Sequence, residues 1–278
     1  MEKIYILLPV HNRKEITLSF INCLTAQTFR NYHLILIDDG STDGTAEIAK
    51  ERVDNLTIIQ GKGDWWWAGS LQEGYQWLQK NIISDLDIIL IINDDTSFTE
   101  DFLDIAINTF IDKQHILLSA YSYSLQTNKL FDAGVAIDWQ SRKMNMTEEI
   151  SLINCFSTRS LFLRWEDFKF TGGFYPRLLP HHAADYEFTA RAIRKEIQPV
   201  LNPALKIWIN EATTGYNSIS SEYGWKLIRK IFSIKSSLNP IPITIFIALS
   251  CPWKWKIQYI ISIWKTTLVI IFRNLLPH

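Results

Sequence analysis

Cysteine is scarce in this chain: Cys23, Cys155 and Cys251 are scattered through 278 residues. An odd set so widely spaced argues against a disulfide framework, makes no metal motif, and suits reduced thiols in a cytosolic setting. No basic segment with a cleavable apolar stretch precedes the strand-like run Ile4 to Pro9, so no export is expected and the body is expected to face the cytoplasm. The sequon Asn145-Met146-Thr147 then has no physical consequence. Long apolar runs are missing too. Ile241 to Leu249 lies between prolines, and Ile257 to Phe272 carries Lys265 near its middle, so both fall short of the ~20 apolar residues that a bilayer-crossing helix needs. Internal repeats and low-complexity segments are absent. Acid almost disappears from the end of the chain: from Glu222 onward there are eight basic residues and that single acid. The tail carries about +7 and the body about −8 within an overall charge of −1. That asymmetry points to a tail that seeks phosphate or a membrane surface, and against nucleic-acid binding by the body.

What is present is apolar and regular. A 47% hydrophobic composition supports a substantial core. Strand-like stretches at Ile4 to Val10, His33 to Ile37, Leu56 to Gln60, Ile88 to Ile92 and Ile116 to Tyr121 alternate with helical stretches. Those helices are expected over Glu15 to Gln27, from a Ser41 or Thr42 cap to about Arg52, over Ala68 to Lys80, and from Asp101 to about Phe110. This is the pattern of parallel βα units. Short hairpins are expected over 123–151, strands at Ile153 to Phe156, Ser160 to Arg164, Val200 to Leu201 and Lys206 to Ile209, and a helix over Ala184 to Lys195. Prolines and interleaved tryptophans after Tyr223 mark a boundary, giving a body of residues 1–222 (halves 1–121 and 122–222) and a tail of residues 223–278.

Two acidic strand ends carry the chemistry. Asn93-Asp94-Asp95 follows the buried-type run Ile88 to Ile92. Ligands of open α/β sheets bind beyond the carboxyl ends of strands, so a hard divalent cation and a phosphorylated substrate are expected there. Asp38-Asp39-Gly40-Ser41 closes the second strand, where Asp39 can accept from a base N–H or a ribose hydroxyl. Ser41, Thr42 and Asp43 read more simply as a cap and solvated turn.

With Pro9-Val10-His11-Asn12-Arg13 after the first strand and Gly61-Lys62-Gly63-Asp64-Trp65-Trp66-Trp67-Ala68-Gly69-Ser70 after the third, the order and spacing over residues 1–215 resemble family 2 glycosyltransferases. The resemblance implies a GT-A fold, a Rossmann-like nucleotide-binding mixed sheet flanked by helices, here with a C-terminal amphipathic helical tail. It also implies a nucleoside diphosphate sugar donor (UDP- or dTDP-linked), Mg²⁺ or Mn²⁺, and inversion at the anomeric carbon. It maps the donor site to Pro9, His11, Arg13, Asp39, Asp64, Gly69 and Asp94, and the metal to Asp95. Asn93 stands where that family has its first metal-motif acid. The Ala68 and Gly69 amides are expected at a helix N-terminus open to an anionic or planar group. Tryptophan-rich versions of this loop occur in members using deoxysugar donors such as dTDP-rhamnose, although packing explains any single tryptophan equally well.

Ala184-Asp185-Tyr186-Glu187 resembles the family's acidic base motif with its first acid replaced, which makes Asp185 the base. Acceptor contacts are implied for Gly172, Gly173, His182 and Glu187. A plain turn at the glycines, solvated His181 and His182, and pairing of Glu187 with Arg191 stay open. The expected acceptor is a lipid-linked or growing surface glycan, with the tail on the inner face of the cell membrane or packed on the body or a second copy. Two other readings remain: a non-catalytic sugar-nucleotide or glycan-binding module, and a sugar nucleotidyltransferase, whose glycine-rich, lysine-bearing loop is missing after the first strand.

Overall fold

A computed structural model describes residues 2–81, 83–211 and 225–275, so the expected boundary at 222–223 lies outside the described residues. Four strands, β1 (Ile4–Val10), β2 (Tyr32–Asp38), β3 (Leu56–Gln60) and β4 (Ile88–Ile92), form the parallel half of a nine-stranded sheet in the order β3-β2-β1-β4. Helices α1 (Lys14–Thr25), α2 (Thr45–Arg52) and α3 (Trp66–Lys80) supply the crossovers that parallel neighbours need. From β1 the chain winds outward through β2 and β3, then returns to the other side of β1 for β4. β1 and β4 therefore flank a topological switch point, where a ligand crevice opens beyond their carboxyl ends.

Side chains of β1 alternate between two cores. Ile4, Ile6, Leu8 and Val10 join Phe20 and Leu24 of α1, while Tyr5 and Leu7 join Leu71, Tyr75 and Leu78 of α3. Burial on both faces explains the unbroken aliphatic run of β4.

Beyond β4 come β5 (Thr96–Ser97), α4 (Phe102–Ile111), β6 (Ile116–Ser124) and β7 (Leu130–Asp132), which folds back on β6. β8 (Gly134–Asp138), β9 (Lys143–Thr147) and β10 (Cys155–Phe156) make a small separate sheet. β11 (Ser160–Arg164) inserts antiparallel between β4 and β6 and is followed by α5 (Trp165–Thr171) and α6 (Ala184–Arg194). β12 (Gln198–Ile209) runs parallel to β6 as one strand rather than two, with a register shift between Leu201 and Lys206.

One local expectation is corrected. α2 begins at Thr45 after Gly44 in the left-handed region (φ 88°), and neither Ser41 nor Thr42 caps it. Instead, Ser41 Oγ accepts from the Asn12 N–H and the Thr42 N–H donates to Asn12 Oδ1, which ties the loops after β1 and β2 together. The tail packs on the body, one of the arrangements left open. Its helices are α7 (Trp225–Ile231), α8 (Pro240–Ser250), started by Asn239 Oδ1 accepting from the Ile241 N–H, and α9 (Trp253–Leu275). Phe246 of α8 packs near Trp139 and Tyr186, and the Arg194 guanidinium donates to the Ser250 carbonyl.

Candidate active site

The loops after β1, β2 and β4 converge at the switch point. Arg13 sits between the two acids after β4: its Nε donates to Asp94 Oδ2 (2.9 Å) and its Nη2 lies 3.4 Å from Asp95 Oδ2. Thr17 Oγ1 also donates to Asp94 Oδ2, so Asp94 is anchored from α1. Burial pushes the Asp94 carboxyl up to about 6, opposed by Arg13 and reinforced by Asp95. Asp95 is less committed. Its Oδ1 and the neighbouring Asn93 Oδ1 are both enclosed with no hydrogen-bond partner among the described residues. Buried oxygens do not stay unsatisfied without reason. Two hard oxygens, one from a carboxylate and one from an amide, are of the kind that Mg²⁺ or Mn²⁺ takes, so the residues present fit such an ion.

Asp39 is filled differently from expectation. Its carboxylate accepts three backbone N–H groups, from Gly63 (2.7 Å), Trp65 (2.9 Å) and Trp66 (3.2 Å). It is therefore the clasp of the 61–66 loop, with about one of its roughly four acceptor positions left over. His11 Nδ1–H donates to the Asp39 carbonyl (2.6 Å), and Pro9 is buried in β1. Asp64 projects from the loop into solvent.

Two site assignments are corrected. Gly69 offers no free amide, because α3 starts earlier than expected: the Gly69 N–H donates to Trp65 O, and the Ala68 N–H to Pro180 O (3.0 Å). Its lack of a side chain serves packing, since a Cβ there would come 3.1 Å from Trp65 Cβ. Glu187 is buried with both oxygens on Arg191 (2.9 and 3.0 Å), so it is not available to an acceptor. The same guanidinium donates to the carbonyls of Thr171 and Gly173, which fastens the Gly172-Gly173 turn to α6. Gly172 has φ 86°, and a Cβ on Gly173 would fall 2.1 Å from Gln72 Oε1, so neither position takes a side chain without strain.

The Ala68–Pro180 bond brings the tryptophan loop against the entrance to α6. His181 and His182 meet there edge to face (4.7 Å between rings) and are not simply solvated. His181 Nδ1 and His182 Nε2 are enclosed without partners among the described residues, and the His181 ring lies 6.0 Å from that of Trp66. Burial, helped by His182 and Lys235, lowers His181 to about 4, so its imidazole is neutral at pH 7.

Asp185 occupies the first turn of α6, where its Oδ1 accepts from the Tyr186 N–H (2.9 Å). Burial pushes its carboxyl up to about 6, the Tyr186 N–H and the Arg159 charge pull it down, and Asp132 pushes it up. Arg159 was not singled out by its sequence position, yet it joins the two acidic corners. Its carbonyl accepts from the Asn93 N–H (3.2 Å), while its Nε donates to Asp132 Oδ2 (3.2 Å), which also accepts from Ser157 Oγ. A lone arginine between short strands gave no periodic or motif signal.

A further acid–imidazole group, His115 with Glu166 and Asp167, has ligand atoms within 4.8 Å of one another. It sits by the start of β6 and α5, where the Trp165 N–H bonds Asp87 O just before β4, at the opposite end of that strand from Asp95. The His115–Asp167 ion pair (2.7 Å) accounts for it.

Residues 5–167 match the family model for glycosyl transferase family 2. The chain belongs to that family. Among curated relatives it is similar to glycosyltransferase AglE of Haloferax volcanii, 37% identical over 59 residues, a stretch that spans 19% of this chain and 19% of that protein. Among solved structures it resembles the mannosyltransferase PcManGT of Pyrobaculum calidifontis in complex with GDP-Man and Mn²⁺ (12% identity, TM-score 0.57, covering 97% of this chain and 80% of that one). It also resembles S. aureus TarS in complex with UDP-GlcNAc (16% identity, TM-score 0.60, covering 92% and 69%). At these identities the structural likeness establishes the fold, which is GT-A: a mixed sheet flanked by helices, with the C-terminal helices present.

Proposed function

We propose that this family 2 glycosyltransferase moves a sugar from a nucleoside diphosphate donor to a hydroxyl of a lipid-linked or growing surface glycan, with inversion. The observation that carries the reading is the pairing of two unlike acidic corners at one sheet end. One has unpartnered oxygens, Asp95 Oδ1 and Asn93 Oδ1; the other has a carboxyl, Asp185, raised to about 6.

Asp95 and Asn93 would hold Mg²⁺ or Mn²⁺, which when bound offsets the charge of the departing diphosphate. Arg13, already against Asp94 and Asp95, adds positive charge on that side. Pro9, His11 and the loop clasped by Asp39 wall the nucleoside, with Asp64 on the loop's outer side. On the other side, Asp185 takes the proton of the acceptor hydroxyl. That oxygen bonds to the anomeric carbon as the bond from carbon to diphosphate oxygen breaks, and the electron pair leaves with the diphosphate. A carboxyl at about 6 is ionised at neutral pH and basic enough to accept the proton. His182, beside the entrance to α6, lines the acceptor side.

The test is a thermal-shift screen of nucleotide sugars with and without Mn²⁺, followed by product detection with the best donor. A ligand that binds only the folded state raises the melting temperature. A metal-dependent shift followed by sugar transfer supports the reading. A shift without transfer to any glycan or lipid-linked acceptor leaves a binding module, and no shift with any donor overturns the donor site.

A further inference from the structure

The tail presents its apolar side outward. Trp253, Ile257, Ile261, Trp264, Leu268 and Phe272 of α9 are all exposed, from 36% for Trp264 to 78% for Trp253. At 3.6 residues per turn these six fall within an arc of about 100°, which is one continuous stripe. The helix docks mainly by another side: Thr267 is buried and the Tyr259 ring meets that of Trp139, while Trp264, the least exposed of the six, donates from Nε1 to Thr244 Oγ1 of α8. Lys254 and Lys265 flank the stripe on one side, while Lys256 lies towards the docked side, where its Nζ donates to the Ala248 carbonyl of α8 (2.6 Å). No acid occurs anywhere from residue 223 to residue 278.

Exposed stripes of this size mark an interaction surface. Among the described residues no helix is long and apolar enough to cross a membrane. Pairing two copies through this stripe would bring two strongly basic tails together, which like-charge repulsion opposes. An anionic lipid surface satisfies both halves of the pattern: the stripe enters the boundary between headgroups and acyl chains, and the lysines meet the headgroups.

We infer that α9 lies flat on an anionic bilayer with the Trp253-to-Phe272 stripe immersed. The surface also bears on the transfer site. Lys235, in the segment joining α7 to α8, lies 5.6 Å from the Trp66 ring, which borders His181. The tail thus connects the lipid surface to the acceptor side of the cleft, and in this respect the inference rests on the proposed transfer reaction. Lipid binding itself does not.

The test is co-sedimentation of the full chain with phosphatidylglycerol/phosphatidylcholine vesicles and with phosphatidylcholine alone, at low and high salt. Binding to the anionic vesicles that weakens with salt is expected. Ile257→Glu/Ile261→Glu/Leu268→Glu should lower the bound fraction at least ~10-fold, and Lys254→Gln/Lys265→Gln, which keeps the stripe, should weaken binding by several-fold. The donor-induced melting shift, read on the same samples, should stay as in the unaltered chain. No binding to the anionic vesicles overturns the inference, as does equal binding to neutral vesicles. A stable dimer by light scattering that Ile257→Glu/Ile261→Glu/Leu268→Glu converts to monomer also overturns it, because the stripe would then be a protein interface. Loss of the donor shift with vesicle binding intact would count against the transfer reading alone.

Discussion

The acidic corner after β4 and the acidic corner at the head of α6 differ in how their charge is met. At the first, Arg13 touches both Asp94 and Asp95 and two oxygens remain unpartnered. At the second, Asp185 has one backbone N–H, and the nearby cation Arg159 is already bonded to Asp132. The first corner sets Arg13 and two unpartnered oxygens around Asp95 and Asp94, the latter itself raised to about 6 by burial, a set of oxygens that suits a cation. At the second, Asp185 is also raised to about 6, but the nearby arginine is bonded to Asp132 instead, so its carboxylate can take up a proton. Similar residues thus receive opposite tasks from their surroundings.

The strongest way to break this contrast is Asp185→Asn, which keeps the shape and removes the base. Transfer should fall by ~10³-fold while the folded structure persists. An unchanged rate would mean that another group takes the proton. The sign of the stability effect is also fixed. Because the Asp185 pKa is raised on folding, the folded state holds the proton more tightly, and stability falls as pH rises from about 4 to about 6. Asp185→Asn should therefore melt higher than the unaltered chain at pH 7 and show a smaller difference at pH 4.

Glu187→Ala probes a third acid, two residues along α6, whose two oxygens both accept from Arg191. It strands the buried Arg191 charge, and equilibrium denaturation should register a loss of about 3–5 kcal/mol. Transfer per folded molecule should change little; a rate loss as large as that of Asp185→Asn would return Glu187 to the site. A smaller effect is expected from Arg159→Gln. Arg159 holds the Asp185 pKa down, so its loss should move the acidic limb of the pH–rate profile to higher pH. Asp132→Asn should move it the other way, because Asp132 holds that pKa up. The groups facing Asp185 in this test are Arg159, Asp132, Cys155 and Tyr186. Parallel shifts in the two variants, or none, would remove Arg159 and Asp132 as positioning residues.

The parallel half was legible in the sequence because each strand there is long, apolar and separated from the next by a helix. Ile88 to Ile92 ending in Asn93-Asp94-Asp95 could be placed at a crevice on that basis alone. The rest depends on partners distant in sequence. β5 is two residues paired with Trp208 and Ile209, and β12 is interrupted by Pro199 and Pro203, so neither shows a clean period. The reach of α3 back to Trp66 depends on Asp39, which supplies acceptors for the Trp65 and Trp66 amides from another strand. Glu187 and Arg191 looked like an ordinary surface pair one helical turn apart. Their burial follows from the Thr171–Gly173 carbonyls that Arg191 meets. The stripe on α9 was visible as apolar residues among lysines, but which way it faces is set by how α8 and α9 dock.

The central claim, that the two corners have separate tasks, is tested most directly by titrating the best donor, with Mn²⁺ present, into Asp95→Ala and Asp185→Asn side by side. The account predicts that Asp185→Asn binds donor as tightly as the unaltered chain, while Asp95→Ala loses the metal-dependent part of the affinity. Equal loss in both variants, or donor binding that depends on Asp185 and not on Asp95, would contradict it.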